Sequence, residues 1–156
     1  MQRILVSDLM RTCSGAIVCE DTPLRTAAEI LVTNDLSVLI ATGSDGALVG
    51  VVPETAVIRK LLATASRDAT IAEILSRHVE SIRSDVSLYS VLHLFRSACH
   101  CVIPVVDHEM QIVGMLHRHD VVRLLLSEMD DAATTATSEP HFLNSPKVRP
   151  KSPKQP

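Results

Sequence analysis

The residues best suited to chemistry crowd into one short run, His117-Arg118-His119-Asp120. Two imidazoles, a guanidinium and a carboxylate within four residues suit anion binding, hydroxyl binding or proton transfer. Strand-like residues precede the run (Ile112-Val113-Gly114-Met115-Leu116), and an apolar-periodic helix follows it (Val121, Val122, Leu124, Leu125, Leu126). A strand that turns straight into a helix leaves the first helical N–H groups pointing beyond the turn, at the positive end of the helix dipole. Such an end suits an anion. Asp120, at the third helical position, either caps that end, worth about 0.3–1 kcal/mol, or accepts hydrogen bonds from a ligand hydroxyl. His117 and His119 read equally well as residues of a solvated turn.

Cysteines offer the next chemistry. Cys99 and Cys101 flank His100, which invites a metal reading. Zinc sites, however, space their cysteines by two to four residues and need a second ligand pair. Cys-x-Cys on a strand sets both thiols on one face, where small apolar cysteines commonly fill a core, and core filling is the expectation here. His117, His119 and Cys101 converging on a metal is the weaker alternative. Neither a Gly-x-Ser-x-Gly elbow, nor a phosphate-binding Gly-rich loop, nor carboxylates paired at catalytic spacing occurs. The expectation is a protein that is not an enzyme and carries no cofactor.

The elements that position these groups occur twice. Sixty-four residues before Gln111, the chain reads Ala47-Leu48-Val49-Gly50-Val51-Val52-Pro53-Glu54-Thr55-Ala56, then Val57, Ile58, Leu61 and Leu62. The strand and the helix are kept, while the histidine and the aspartate are gone. At the same offset Asp21 matches Asp85, Leu24 matches Leu88, Val38 matches Val102, Gly50 matches Gly114 and Arg59 matches Arg123. Val6-Ser7-Asp8-Leu9-Met10 is echoed by Ile71-Ala72-Glu73-Ile74-Leu75. A repeat of this kind decides the architecture before any local argument.

Each copy reads as short strand, helix, strand, strand, helix. In the first, Ala16-Ile17-Val18 is the short strand, and Thr22-Pro23 opens a helix with Thr22 as cap and a buried stripe of Leu24, Ala27, Ala28 and Leu31. Residues 37–42 form a continuous apolar strand buried on both faces. Gly43-Ser44-Asp45-Gly46 is a turn, Leu48 to Val52 is the partner strand, and Pro53 or Glu54 opens the helix bearing Val57, Ile58, Leu61 and Leu62. In the second, the parts are Ser81-Ile82, a helix with Leu88, Val91, Leu92 and Phe95, the strand from Cys101 to Val106, the turn Asp107-His108-Glu109-Met110, and the strand Ile112 to Leu116. The predicted class is α/β (α+β), with repeats at 1–64 and 65–129. A half of about 60 residues buries too little surface to stand alone, so the halves share a seam and a cleft. Leftover apolar surface favours a homodimer.

Composition narrows the partners. Aromatics make up 2% of the 156 residues, too few for base stacking. A net charge of −3 gives no pull toward nucleic acid or anionic membranes, and no apolar run approaches a membrane span. With no signal-peptide core at the N-terminus, the expected location is cytoplasmic, with reduced thiols. Beyond about Asp130 the periodicity stops, and five of the eight prolines lie past residue 139. Residues 130–156 read as a disordered tail with a basic end (Lys147, Arg149, Lys151, Lys154).

The ordered part resembles a tandem pair of cystathionine-β-synthase (CBS) domains, often called a Bateman module. The resemblance spans roughly residues 3–128. It rests on the starts at Val6 to Met10 and Asp21 to Leu24, on Val102-Ile103-Pro104-Val105-Val106-Asp107, and on Ile112-Val113-Gly114-Met115-Leu116 leading to Asp120. It implies a non-catalytic regulatory module binding an adenosine-containing ligand (AMP, ADP, ATP or S-adenosylmethionine) between the repeats. Signalling would pass through a dimer or a separate effector protein. Carried over residue by residue, Ser81 takes a hydroxyl role and Asp120 the ribose-binding role. Cys101, Val102, Ile103 and Pro104 line the ligand, His117 stands before the helix, and Arg118 and His119, with Arg77 or His78, are the phosphate partners. In the first repeat Ile17, Pro53 and Ala56 stand at the polar positions and Ile40 stands for Pro104, so one site per chain is expected. The alternative is a ligand-free interaction and dimerisation scaffold.

Overall fold

A computed structural model describes residues 3–63, 68–96 and 101–136. The readings made for Cys99, His100 and residues 137–156 lie outside them. The elements of the first repeat are α1 (Val6–Leu9), β1 (Ile17–Cys19), α2 (Leu24–Thr33), β2 (Val38–Thr42), β3 (Leu48–Pro53) and α3 (Glu54–Ala63). The second repeat has a 3₁₀ turn (Ile71–Glu73), β4 (Ile82–Arg83), α4 (Leu88–Val91) running into a 3₁₀ segment (Leu92–Arg96), β5 (Val102–Val106), β6 (Ile112–His117) and α5 (Arg118–Ala136). The first unit, up to Arg123, holds both sheets; the second begins at Leu124 with the rest of α5.

Two three-stranded sheets carry the duplication: β1-β2-β3 and β4-β5-β6. In each, the short first strand runs parallel to the second, and the second and third form an antiparallel hairpin. The registers match down to their irregularity, since the ladder shifts between Ala41 and Thr42 and again between Val105 and Val106. The hairpin turns also correspond. Gly46 and Met110 both take positive φ, at 79° and 62°. Leu39, Ile40 and Ala41 are all buried, as are Ile103 and Val105 of β5, so the central strands have no solvent face.

The repeats interlock by trading their leading segments. Val6 N–H donates to the Val86 carbonyl and Leu88 N–H to that of Ile4, tying the N-terminus to the second repeat. Reciprocally, Leu24 N–H donates to the Ala69 carbonyl and Ile71 N–H to that of Thr22. Ala69 and Ile71 therefore lie in the core of the first repeat with Val18, Leu24, Ala27, Leu31, Leu39, Val52 and Val57. Further bridges cross the seam, among them one between Ala47 and Gln111. Arg11 and Met115 exchange both backbone hydrogen bonds, as do Ser76 and Val51.

Several expectations change. Thr22 does not cap α2: the helix starts at Leu24 behind Pro23, without a side-chain cap. The exchanged Ala69 carbonyl satisfies the donor instead. The predicted helix after Ser87 is one α-turn followed by 3₁₀, because Tyr89, Ser90, Val91 and His93 are weaker helix formers than the Ala- and Glu-bearing α2. On α3 only Val57 is buried, while Ile58, Leu61 and Leu62 of the expected stripe are exposed, Leu62 by 84%. Helix α5 continues past Asp130 to Ala136, so order extends beyond the composition break. Alanines sustain it, and Thr134 and Thr135 return their hydroxyls to the carbonyls of Asp130 and Asp131. Among the described residues, no helix is long and apolar enough to cross a membrane.

Candidate functional site

The pseudo-symmetry creates two equivalent places along the seam, and the chain treats them differently. One is an open cleft of about 650 Å³. The end of β3 and the head of α3 supply Val51, Pro53, Glu54 and Thr55, and the start of β2 supplies Ser37 and Val38. The segment before β4 adds Ser76, His78, Val79 and Glu80, and β5 with its lead-in adds Cys101, Val102 and Pro104. Both repeats thus contribute, with hydroxyls at Ser37, Thr55 and Ser76 set around an apolar strand surface. The Ser76–Val51 bridge holds the segment before β4 across the end of β3.

Shifting each lining residue by the repeat offset gives the twin place. Val51, Pro53, Glu54 and Thr55 become Met115, His117, Arg118 and His119, and Pro104 becomes Ile40. Through the matching bridges Ser76–Val51 and Arg11–Met115, His78 becomes Cys13. Here Cys13, Ala16, Ile40 and Met115 form one buried apolar cluster, packed against Leu36, Val51 and Val102. Burial pushes the Cys13 thiol up. Isoleucine in place of proline and cysteine in place of histidine turn a recess into core.

Asp120 sits at this filled twin. It is 6% exposed, and Arg11 grips both its oxygens: Nε donates to Oδ2 and Nη2 to Oδ1, each at 2.5 Å. Arg123 Nη1 adds a third donor to Oδ1 at 3.3 Å. A fork of this kind meets a carboxylate with matched planar geometry. The hydrogen bond from Arg11 holds the Asp120 carboxyl below its ordinary range, against the opposing effect of burial. His117 is half-buried beside the pair. Burial first, and then the Arg11 charge, lower its pKa, with Asp120 pulling the other way.

The nine residues expected around a ligand are therefore divided. Cys101, Val102 and Pro104 line the open cleft. Ile103, between them on the strand, points to the opposite face and is fully buried. Ser81 is half-buried and outside the lining, the hydroxyl there coming from Ser76 five residues earlier. Arg118, His119 and Asp120 form the head of α5, at the twin, with His117 ending β6 just before them. The anion site expected at that head is partly closed, since the Arg118 N–H donates to the Cys101 carbonyl at 2.9 Å. At α3 the Glu54 N–H donates likewise to the Ser37 carbonyl, at 2.9 Å. Cys101 is exposed, not core-filling, because it precedes the first residue of β5. Local spacing did not reveal Glu54, Thr55, Ser76 or Glu80, which the crossing of the two repeats brings together with His78. Among the described residues, no three His, Cys, Asp or Glu side chains are grouped to hold a metal ion.

The Arg11–Asp120 pair and the neighbouring His117 give acid sensitivity with a definite sign. Asp120 has a folded pKa below its unfolded value of about 3.9. Its contribution is complete above that pH and is lost as pH falls through the folded value. His117 also has a lowered folded pKa, so the unfolded chain takes up its proton first and stability declines as pH falls below about 6.5. Urea midpoints should therefore drop from pH 7 to pH 5 and again toward pH 3.5. His117→Gln is expected to flatten the first drop. Asp120→Asn should cost about 1 kcal/mol at pH 7 and progressively less as pH falls below about 3.9. Parallel profiles for wild type and both variants would contradict this assignment.

Known proteins agree with this architecture. The CBS domain family matches the chain twice, over residues 6–63 and 71–127. A CBS-domain protein from Bacillus anthracis superimposes with a TM-score of 0.72 at 19% identity, over 81% of this chain and 96% of that one. CBSX2 from Arabidopsis thaliana gives 0.72 at 22% identity, over 83% and 99%. The CBS domain pair of protein MJ0100, solved with 5′-methylthioadenosine and S-adenosyl-L-methionine, gives 0.70 at 24% identity, over 81% and 99%. At these identities the likeness is one of fold. A homoserine O-acetyltransferase from Methanohalobium evestigatum is 25% identical over 120 residues, which are 77% of this chain and 24% of that protein, so the chain spans about a quarter of that relative's length. Matched twice over most of its length, and built as two copies of one strand–helix–hairpin–helix unit, the chain belongs to the CBS domain family.

Proposed function

We propose that the protein is a non-catalytic regulatory module that binds one adenosine-containing ligand in the open cleft and relays its occupancy to a dimer partner or a separate effector. The observation that carries this reading is the asymmetry of the seam: one cleft of about 650 Å³ lined from both repeats, its twin filled by Cys13, Ile40 and Met115. The volume suits a nucleoside-sized molecule. The reading is further supported by two structural neighbours, the MJ0100 pair solved with S-adenosyl-L-methionine and CBSX2 solved with AMP. Cys101, Val102 and Pro104 from one repeat, with Ser37 and Thr55 from the other, are the contacts. A ligand touching both repeats can bias their packing, which any such switch requires. The dimer part of the reading is supported by the apolar groove between α2 and α3, where Val32, Ile58 and Leu61 are exposed.

Thermal shift and calorimetry with AMP, ATP and S-adenosylmethionine test the proposal. A ligand at 100 times its dissociation constant should add about 2.7 kcal/mol of stability. Binding should vanish in Thr55→Trp and survive in Asp120→Asn. The opposite pattern would move the ligand to the twin. The second reading, a scaffold without a ligand, is favoured by how thoroughly the twin is filled; it predicts no shift with any nucleotide.

A further inference from the structure

We infer that a second copy of this chain docks crosswise: the first repeat of each protomer sets its groove between α2 and α3 against the exposed α5 face of the partner's second repeat. This rests on the dimer part of the reading proposed above and names which surfaces meet.

The groove, of about 370 Å³, is mostly apolar, and Val32, Ile58 and Leu61 stand exposed along it by 82%, 53% and 50%. Its charged residues, among the described residues, are two exposed carboxylates, Asp35 and Glu54, with no base beside them in the lining. An exposed apolar surface with a polar rim marks a protein contact. Moving the wall residues by the repeat offset gives the matching face of the second repeat. Ile58 and Leu61 become Val122 and Leu125, again exposed, by 48% and 37%. Val32 becomes Arg96, and Glu54 becomes Arg118. Arg96 is exposed and Arg118 half-buried. Among the described residues the Arg118 guanidinium meets a weak acceptor, Cys101 Sγ, at 3.7 Å. The repeats thus share an apolar pattern and carry opposite charge at equivalent places around it.

That opposition selects the pairing. Two first repeats joined by a twofold axis would set Asp35 and Glu54 against their own copies. Two second repeats would oppose Arg96 and Arg118 in the same way, and like charges so placed are costly in an interface. Crossing the repeats sets acid against base twice, and the assembly closes with two equal contacts and no free end. Ile58 and Leu61 then meet Val122 and Leu125 of the partner subunit, covering the side chains that one chain leaves in water. Glu54 gives the contact a bearing on the cleft, because it lines both the groove and the cleft. Arg118 of the partner subunit, drawn to Glu54, therefore stands at a wall of the cleft.

Glu54→Arg and Arg118→Glu test the crossing, since each installs the residue that the other repeat already carries at the same place. The dimer dissociation constant of the full chain is measured by sedimentation equilibrium at low salt, where charge contacts are least screened, with circular dichroism confirming the fold. Each single variant is expected to weaken the dimer at least about tenfold, by setting base against base or acid against acid. The double variant restores opposite charge across the contact and should return to within about threefold of wild type. A dimer indifferent to both single changes pairs like repeats or uses another face, which overturns the inference and leaves the dimer reading standing. A double variant no tighter than the single ones does the same. A wild-type chain that stays monomeric overturns both and leaves the groove to a separate effector.

Discussion

Gly50→Val is expected to destabilise the protein by about 3–5 kcal/mol. Gly50 lies on β3 where the segment carrying Ser76 crosses it, and a Cβ there would run into the Ser76 carbonyl oxygen and lie 2.9 Å from Leu75 Cδ1. The oxygen cannot retreat freely, because it accepts the Val51 N–H at 3.0 Å while Ser76 N–H donates back to Val51 at 2.9 Å. Overpacking of this kind costs about 1–3 kcal/mol. Parting the two seam hydrogen bonds adds roughly 1 kcal/mol each. The sum is a large share of the about 5–15 kcal/mol that a domain has in total. Gly114→Val should hurt less. Its added Cβ meets the Arg11 carbonyl and Met10 Sδ, both at 2.8 Å, and a methionine side chain can swing aside. Chemical denaturation followed by circular dichroism checks the ranking, and a Gly50→Val protein within 0.5 kcal/mol of wild type would refute it.

Ile71→Ala should produce the second large effect, about 2–5 kcal/mol, although Ile71 belongs by sequence to the second repeat. Its side chain is 0% exposed within the core built around α2, β2 and β3. For the same reason a fragment ending at residue 64 is expected to show no cooperative thermal transition, since it lacks Ala69, Ile71 and the carbonyl that satisfies the start of α2. Val6→Ala should act likewise from the other end, since Val6 is fully buried and its N–H is bonded to Val86. A fragment of residues 1–64 that melts cooperatively would mean that the exchanged segment is dispensable.

These two cases mark what local sequence carries and what it does not. The 64-residue repeat, the hairpins and the two-sided central strands were readable because side-chain periodicity reports burial directly. The repeated Gly50 and Gly114 were readable as a pair, yet their reason lies in a crossing chain segment that no spacing announces. The stripe on α3 was readable as apolar, but not how little of it one chain covers, since Ile58, Leu61 and Leu62 stay exposed. The candidate site shows the same division. Concentrated ionisable groups drew attention to the head of α5, but the partner that decides the role of Asp120 is Arg11, 109 residues away. The open cleft takes its polar groups from the plainer first repeat and from the lead-in to β4. Its residues look unremarkable singly and gain meaning only from being assembled.

The trading of leading segments also sets the order in which the chain can acquire its shape. Residues 4–6 cannot satisfy their backbone until residues 86–88 exist, and α2 waits for Ala69 and Ile71. Closing loops of that length is slow compared with local helix formation. During synthesis residues 4–6 must therefore remain without these partners until residues 86–88 have been made. Neither copy can mature ahead of the other, which couples their assembly into a single late event.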